Sequence, residues 1–254
     1  MSDPGQTVRG SGRHLFSPPP RSERAELLDE DVVDPEELAG NFRDIQRVNR
    51  LLGGSSVILR HVPTLLSTTS ATEPVTILDL ATGSGDIPLA ISQWARRRNL
   101  PLRIVASDVS PAILELARKQ TSGDPAITIA EYDARSVPLP DKAFDIVLCS
   151  LSLHHFSADN AIRVLRQMDR LARRGFILND LRRGRIGYAA AWIASRLTTR
   201  NRLTRNDAPL SVLRAYTPAE LGDLLRRAGI DDATISTHPW FRMAAVKQER
   251  IDHA

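Results

Sequence analysis

The sequence has little cysteine and no long apolar run, and each shortage excludes a class of protein. Cys149 is the one cysteine among the 254 residues, so no disulfide can form within the chain, and a reducing compartment such as the cytoplasm is expected. No run of about 18 apolar residues occurs, so we expect no membrane-spanning helix. The N-terminus also lacks the apolar stretch of an ordinary secretory signal.

The charged residues argue only weakly for a nucleic-acid partner. Lysine occurs three times, at Lys119, Lys142 and Lys247, among 34 basic residues, so arginine carries most of the positive charge. A formal charge of +4 on a chain of this length is a weak electrostatic footprint for DNA or RNA. We therefore expect no nucleic-acid partner from composition alone.

Three regions follow one another along the chain. Residues 1–24 are rich in Pro, Ser, Gly and Arg without apolar periodicity, which predicts a disordered tail. Residues 25–72 contain two helical patterns, the first with Asp34 as its N-cap, and predict a helical lid outside the main unit. Residues 73–254 make up the main domain, in which we interpret residues 182–214 as an insert that covers a substrate pocket.

From residue 75 onward, strand patterns alternate with helical patterns. Such alternation predicts an α/β fold, a Rossmann-like doubly wound sheet with helices on both faces. The last two strand patterns are joined by a link too short for a parallel crossover, so they predict an antiparallel hairpin. The result is a mostly parallel sheet of seven strands at residues 75–80, 102–107, 127–132, 144–150, 176–179, 233–237 and 241–247.

The stretch ILDLATGSGDIPLAI places Gly83 and Gly85 directly after the first strand. Ligands of such sheets bind beyond the carboxyl ends of the strands, and glycine lets the backbone approach them closely. The dinucleotide fingerprint needs a third glycine where Pro88 stands, and Asp86 would repel a pyrophosphate. No Gly-Lys-Ser/Thr follows, so a phosphate-binding P-loop fits no better. With Asp79 and Asp86 on either side, the loop favours a nucleoside-containing ligand that carries cationic groups.

Two further acids end the next two strands. Asp108 closes the second strand, where a carboxylate can accept both hydroxyls of a ribose. Asp133, followed by Ala134, comes after the third strand, where an acid can accept from the exocyclic amine of adenine. An aspartate before a turn is more often a cap or loop residue, but Asp79, Asp108 and Asp133 stand in order at the ends of three successive strands and so support one another.

Four stretches resemble class I S-adenosylmethionine-dependent methyltransferases, in that family's order and spacing: ILDLATGSGD, VASDVSPAILELAR, EYDARSVPLPDKAFDIVLCSLSLHHF and GFILNDLRRGRIGYAAAW. The resemblance extends over residues 35–248, and the glycine loop is similar to that of the ubiquinone/menaquinone C-methyltransferase group. It implies S-adenosylmethionine as cofactor, with its amino group near Asp79 and its ribose on Asp108. The residues that the resemblance assigns to the cofactor are Asp79, Ala81, Gly83, Gly85, Asp108, Val109, Asp133, Ala134 and Ser150.

His154 and His155 follow the fourth strand, on the side where a methyl acceptor would approach. Histidine titrates near neutrality, so either ring is a candidate general base or acceptor contact; packing at a helix start is the alternative. Asn179 and Asp180 at the end of the fifth strand are second candidates, with a capping role as the alternative.

No acidic cluster ends the fourth strand to pair with Asp180, so we expect no metal. Cys149 lies inside an apolar strand and is expected to be a buried core thiol.

The acceptor itself is predicted only by class. The apolar stretch IGYAAAWIASRL contains Tyr188 and Trp192 and predicts a helix that must be covered, over the acceptor pocket, in the core or in a homodimer. We therefore expect a small, hydrophobic, phenolic or quinone-like acceptor and O- or C-methylation. Two alternatives stay open: an RNA or protein methyltransferase that uses the arginines between Arg182 and Arg205, and a cofactor-binding protein without catalytic activity.

Overall fold

A computed structural model describes residues 17–29, 34–66 and 73–249 of the chain. Its strands are β1 (Val75–Leu80), β2 (Leu102–Asp108), β3 (Ile127–Glu131), β4 (Phe144–Ser150), β5 (Ala172–Leu181), β6 (Thr234–His238) and β7 (Arg242–Gln248). Its helices are α1 (Pro35–Leu51), α2 (Gly54–Leu66), α3 (Asp86–Arg96), α4 (Pro111–Thr121), α5 (Ala158–Leu171), α6 (Arg185–Thr198), α7 (Arg202–Arg214) and α8 (Pro218–Ala228). Two single 3-10 turns cover Leu27–Asp29 and Leu153–His155.

The strands form one sheet in the order β3-β2-β1-β4-β5-β7-β6. Strands β1 to β5 pair in parallel, and β7 runs antiparallel to both β5 and β6. The predicted fold class and its C-terminal hairpin are therefore confirmed. The strand order reverses between β1 and β4, so the loops after these two strands border the switch point, where ligands of such sheets bind.

Helices cover both faces of the sheet. Successive residues of a strand point to opposite faces, and on β1 Leu78 belongs to the core under α5 and α8, whereas Ile77 belongs to the core under α2 and α3. Cys149 of β4 is fully buried in the first of these cores, as expected, and burial raises the pKa of its thiol well above the usual value. The sheet is thus closed on both faces, and its loop edge carries the polar residues.

The boundary between α5 and β5 differs from the prediction. The helical pattern suggested a helix that stops at Gly175, but α5 ends at Leu171 and β5 begins at once with Ala172. The reason is strand pairing, because Ala172 already lies opposite Phe144 of β4. The longer β5 carries Asn179 and Asp180 to the loop edge of the sheet.

Residues 17–29, here called the N-terminal strap, pack against the domain, whereas the sequence predicts a disordered tail up to residue 24. The Arg21 guanidinium donates to the carbonyl oxygens of Arg214, His154 and Phe156 at 2.7, 3.0 and 2.8 Å. These contacts are polar and irregular, so they leave no apolar periodicity for sequence analysis to detect. Residues 1–16 of the predicted tail lie outside the described residues.

The insert forms α6 and α7, which pack on each other. On α6, Ile186 and Leu197 are 74% and 81% exposed, so the described part of the chain does not cover this apolar face as the sequence suggested. Among the described residues, no helix is long and apolar enough to cross a bilayer.

Asp207 of α7 fastens the strap and offers a test of its placement. The buried carboxylate accepts from the backbone N–H groups of Leu27 and Leu28 at 2.9 and 3.0 Å. Asp207→Ala keeps a good helix former but leaves both N–H groups unpaired, so local opening of the strap should become about fivefold more frequent or more. Trypsin cleavage after Arg21 and Arg24, followed by mass spectrometry, should accelerate accordingly.

The matched control is Asp223→Ala, which removes an exposed helical aspartate of α8 that pairs with Arg226. Its cleavage pattern should equal that of the unaltered chain. Equal cleavage rates in the Asp207 variant and this control would contradict the placement of the strap.

Candidate active site

The loop after β1 has the backbone conformation that glycine favours. Gly83 and Gly85 have φ angles of 59° and 79°, in the left-handed region, and Ala81 joins them at 52°. A Cβ on Gly85 would come within 2.9 Å of the Thr121 methyl group, and one on Gly83 within 3.0 Å of the Phe42 ring. The loop therefore needs bare backbone both for its turn and for the helices that close on it.

Asp79, at the end of β1, is a buried acid with a free acceptor atom. Thr82 donates to its Oδ2 at 2.6 Å, while Oδ1 has no hydrogen-bond partner among the described residues. Burial raises the pKa of the carboxyl group to about 7, and the charges of Asp86 and Asp108 add to the rise. A cationic group placed at this carboxylate would supply the missing partner and favour its ionised form.

Asp108, at the end of β2, joins the loops after β1 and β2. Its Oδ1 accepts from the backbone N–H groups of Val109 and Ser110 at 2.8 and 3.1 Å, and its Oδ2 accepts from Gly83 at 3.2 Å. Burial raises the pKa of Asp108, although these three hydrogen bonds act in the opposite direction. A carboxylate offers about four acceptor positions, so one remains on Oδ2 for a ligand hydroxyl. Val109 beside it is 60% exposed, an apolar surface free to receive a ring.

The Asp133 carboxylate is less available to an adenine amine than the sequence suggested. Both of its carboxylate oxygens face the Arg135 guanidinium, at 3.0 Å or less, and this partner lowers its pKa. An adenine amine at this place would have to share the carboxylate with Arg135. Ala134 is 6% exposed and lies in the core beside the loop.

Polar residues end β4 and β5 side by side. The Asn179 amide donates to Ser150 Oγ at 2.8 Å, and its own Oδ1 is buried without a partner in the described ranges. Leu151 follows with a φ of 56°, and its N–H donates to the Asn179 carbonyl oxygen. These bonds fix the backbone directly opposite the glycine loop, at the switch point.

Helix α1 closes the glycine loop from outside the sheet. The Gln46 amide donates to Ser84 Oγ at 2.9 Å, and the Asn49 amide donates to Asp86 Oδ2 at 3.0 Å. The buried Arg242 of β7 donates to Asn49 Oδ1 at 3.1 Å, and its Nε and Nη1 have no partner among the described residues. Burial lowers the pKa of Arg242 to about 10. Sequence analysis did not predict Arg242 as a site residue, because it lies in a late strand, far from the glycine loop along the chain.

His154 and His155 occupy different environments. His154 is buried, and its Nδ1 lies 2.7 Å from Asp180 Oδ1. His155 is partly exposed, and its Nδ1 lies 2.9 Å from Asp29 Oδ1. Burial alone would lower the pKa of His155, but the carboxylates of Glu26 and Asp29 outweigh it and raise that pKa to about 9. The ring is therefore protonated at neutral pH, which counts against the predicted role of a general base.

Glu26 and Asp29 of the strap were missed by sequence reasoning, because the first predicted helix begins only after Asp34. Their one signal is the segment AELLD, which places two acids around two leucines at the end of a polar tail. Glu26 is 2% exposed, so the strap inserts an acid among the histidines.

The arginines near the insert are mostly engaged within the chain. The buried Arg183 donates to the carbonyl oxygens of Pro19 and Ala215, and the Arg205 guanidinium donates to the Thr199 carbonyl. The Arg196 guanidinium lies 4.0 Å from the centre of the Trp192 ring. Three of these guanidiniums are thus held in place by contacts within the chain.

Comparison with known proteins finds a methyltransferase domain in part of the chain. Residues 77–175 match the model of a methyltransferase domain family. The demethylmenaquinone methyltransferase of Deinococcus radiodurans is 35% identical over 88 residues, 34% of this chain and 35% of that protein. That of Clavibacter sepedonicus is 32% identical over 114 residues, 42% of this chain and 44% of that protein. The matched part of the chain thus spans less than half the length of these relatives.

Solved structures share the fold at low identity. The plantazolicin methyltransferase BpumL, solved in complex with SAH, has a TM-score of 0.64 at 14% identity, covering 88% of this chain and 93% of that one. A SAM-dependent methyltransferase from Aquifex aeolicus has a TM-score of 0.56 at 16% identity, covering 85% and 98%. The strand order and these neighbours show that the chain has the fold of S-adenosylmethionine-dependent methyltransferases, and residues 77–175 match a methyltransferase domain.

Proposed function

We propose that the chain transfers a methyl group from S-adenosylmethionine to a small, hydrophobic, phenolic or quinone-like acceptor. The observation that carries the cofactor assignment is Asp79, a buried carboxylate with an unpaired oxygen at the glycine loop. An ammonium group is the partner that such an atom lacks, and a diphosphate would be repelled by it. The acceptor class is supported by the similarity to demethylmenaquinone methyltransferases.

The residues of the loop edge fit the parts of this cofactor. Asp79 would hold the methionyl ammonium. The Nε and Nη1 atoms of Arg242, which have no partner among the described residues, suit the carboxylate of the methionyl group. The remaining acceptor position of Asp108 would take a ribose hydroxyl, and a second becomes available if the 3.2 Å bond from Gly83 is exchanged. Val109 and Ala134 would lie against the adenine, with Asp133 near its amine.

The chemistry requires positioning more than acid–base work from the protein. When bound, the sulfonium supplies an activated methyl group for in-line displacement. The chain orients the acceptor and excludes water with α1, the strap and the backbone after β4, where Ser150 and Leu151 would face the methyl group. His155 is proposed as a contact on the acceptor side rather than as the base.

The direct test of this function is a transfer assay with methyl-labelled S-adenosylmethionine. The acceptor panel should include simple phenols, a naphthoquinone and its reduced quinol, mixed RNA and a mixed protein extract, with products identified by mass. Label in the phenols or the quinol is the expected result. Label in RNA or protein would replace the proposal with the alternative macromolecular substrate, and cofactor binding without any transfer would indicate a non-catalytic protein.

Asp108 supplies a first quantitative prediction. Asp108→Ala removes the ribose acceptor and the tie between the two loops, so the Kd for S-adenosylmethionine should rise at least about tenfold, a loss of about 1.4 kcal/mol. Isothermal calorimetry on the folded variant measures this value. Glu131→Ala is the matched control, because Glu131 lies opposite Asp108 on β3 with an exposed side chain. Unchanged affinity in Asp108→Ala would contradict the ribose assignment.

Asp79 supplies a prediction about pH. Its pKa is raised to about 7, so the carboxyl group is largely protonated at pH 6, and binding an ammonium group requires it to lose the proton. The affinity for S-adenosylmethionine should therefore fall roughly fivefold from pH 7 to pH 6, and binding at pH 6 should release a proton to the buffer. Calorimetry in two buffers of different ionisation enthalpy detects that proton.

The control for this prediction is Asp79→Asn, which keeps the shape of the side chain but cannot ionise. Its affinity should be lower at pH 7 and should vary much less between pH 6 and pH 7. An equal pH dependence in the variant would assign the titration to another group and remove Asp79 from the ammonium site.

A further inference from the structure

Three potential ligand atoms converge where the N-terminal strap meets the turn after β4. The Nε2 atom of His154 lies 3.7 Å from Oε1 of Glu26, and the Nε2 atom of His155 lies 3.9 Å from Oε2 of the same carboxylate. The ligand atoms of all three residues lie within 4.8 Å of one another. Two imidazoles and one carboxylate thus lie close together, and the two rings are 4.4 Å apart between centroids and tilted by 33°.

The far side of each imidazole ring is held by a second carboxylate. Asp180 Oδ1 lies 2.7 Å from Nδ1 of His154, and Asp29 Oδ1 lies 2.9 Å from Nδ1 of His155. In a neutral ring, a hydrogen bond donated from Nδ1 fixes the tautomer and leaves the lone pair on Nε2, the atom nearest Glu26. Metal-binding histidines are typically held in this way, by a carboxylate behind the ring.

The contacts between Glu26 and the two imidazoles are not hydrogen bonds, so Glu26 Oε1 lacks a hydrogen-bond partner there. Glu26 is 2% exposed, and its Oε1 has no hydrogen-bond partner among the described residues. Distances of 3.7 and 3.9 Å are too long for hydrogen bonds to the imidazoles. Ligand atoms around one transition metal, each about 2.0–2.2 Å from it, lie roughly 3–3.5 Å apart. The three side chains would have to draw closer together, by up to about 1–2 Å for the pair farthest apart, to coordinate one ion.

The charges around the cluster favour a cation. Glu26, Asp29 and Asp180 contribute three carboxylates to it, and Arg214 is the guanidinium that approaches two of them, at 3.8 Å from Glu26 and 2.9 Å from Asp29. A divalent ion would supply positive charge at the point that these carboxylates surround.

We propose that Glu26, His154 and His155 form a binding site for a divalent first-row transition metal ion. Two imidazole nitrogens and one carboxylate suit Zn²⁺, Fe²⁺, Mn²⁺ or Co²⁺, whereas Mg²⁺ and Ca²⁺ prefer oxygen ligands throughout. The site departs from the sequence expectation of no metal, because its carboxylate comes from the strap and not from the strand ends. It does not rest on the proposed transfer reaction.

The surroundings of the site meet two further requirements of metal binding. His155 lines a surface cleft of about 840 Å³ beside the strap, which gives an ion a path from solvent. The strap is also held in place, because Asp207 binds its backbone and Arg214 donates to the Arg24 carbonyl oxygen at 2.9 Å. Three protein ligands leave a coordination position open for water or another oxygen.

The test measures Zn²⁺ binding to the full, tag-free chain after treatment with a chelator. Titration against a chromophoric competitor and elemental analysis of the dialysed protein should give one equivalent of tightly bound Zn²⁺. Co²⁺ should bind at the same stoichiometry, with visible absorption bands that indicate nitrogen and oxygen ligands at low coordination number. No bound metal in the unaltered chain would overturn the proposal.

Two variants each remove one proposed metal ligand, and a third, Asp29→Asn, removes the carboxylate behind the His155 ring. Glu26→Gln keeps the size of the side chain, and His155→Asn alters a partly exposed one, so circular dichroism should show both folded. Each should weaken Zn²⁺ binding by at least about 100-fold, and Asp29→Asn by the 10- to 100-fold typical of outer residues. If one ligand variant fails to fold, the other decides. Unchanged Zn²⁺ affinity in a folded ligand variant would overturn the site.

The matched control is a second histidine pair among the described residues, outside this cluster. His61 and His238 approach at 3.5 Å between their Nε2 atoms. His61→Asn should therefore leave the equivalent of Zn²⁺ in place. Loss of metal in this variant, with retention in Glu26→Gln, would move the binding to the other pair and refute the proposal.

Discussion

The Asp108 carboxylate is the interaction on which the geometry of the site depends. It accepts backbone hydrogen bonds from the loop after β1, through Gly83, and from the loop after β2, through Val109 and Ser110. Parallel strands bring both loops to the same edge of the sheet, and these bonds, together with the one from the Thr82 N–H to the Ser107 carbonyl oxygen, fix the distance between them. The same atom set then faces the place where a ribose would lie, so the structural and the proposed binding roles fall on one side chain.

Buried negative charge distinguishes this loop edge from a dinucleotide site. Asp79, Asp86 and Asp108 all have raised pKa values, chiefly because burial disfavours their charged forms. Three such acids around a glycine loop would repel a diphosphate and would be relieved by a ligand with an ammonium and a sulfonium group. Negative charge is also buried at the cluster of Glu26 with the two histidines. There a metal ion would compensate the charge, as the cationic ligand would at the glycine loop.

Sequence analysis predicted the parts of the molecule that repeat a local pattern. The strands, the cap at Asp34 and the buried Cys149 follow from periodicity and from residue preferences at helix ends, and the structure confirms them. The strand ends then placed Asp79 and Asp108 at one edge. The strap was missed because polar bonds to distant residues hold it, and such bonds leave no periodic signal. The partners of His155 come from that strap, so its raised pKa could not be foreseen.

The central claim is that the loop after β1 receives an adenosyl group with cationic substituents and not a diphosphate. Competition calorimetry on the same preparation tests it most directly, with S-adenosylmethionine titrated into the chain alone and in the presence of excess ATP or NAD⁺. The account predicts one binding equivalent of S-adenosylmethionine whose affinity neither nucleotide changes. Tight binding of ATP or NAD⁺ that displaces S-adenosylmethionine, or no binding of S-adenosylmethionine at all, would contradict it.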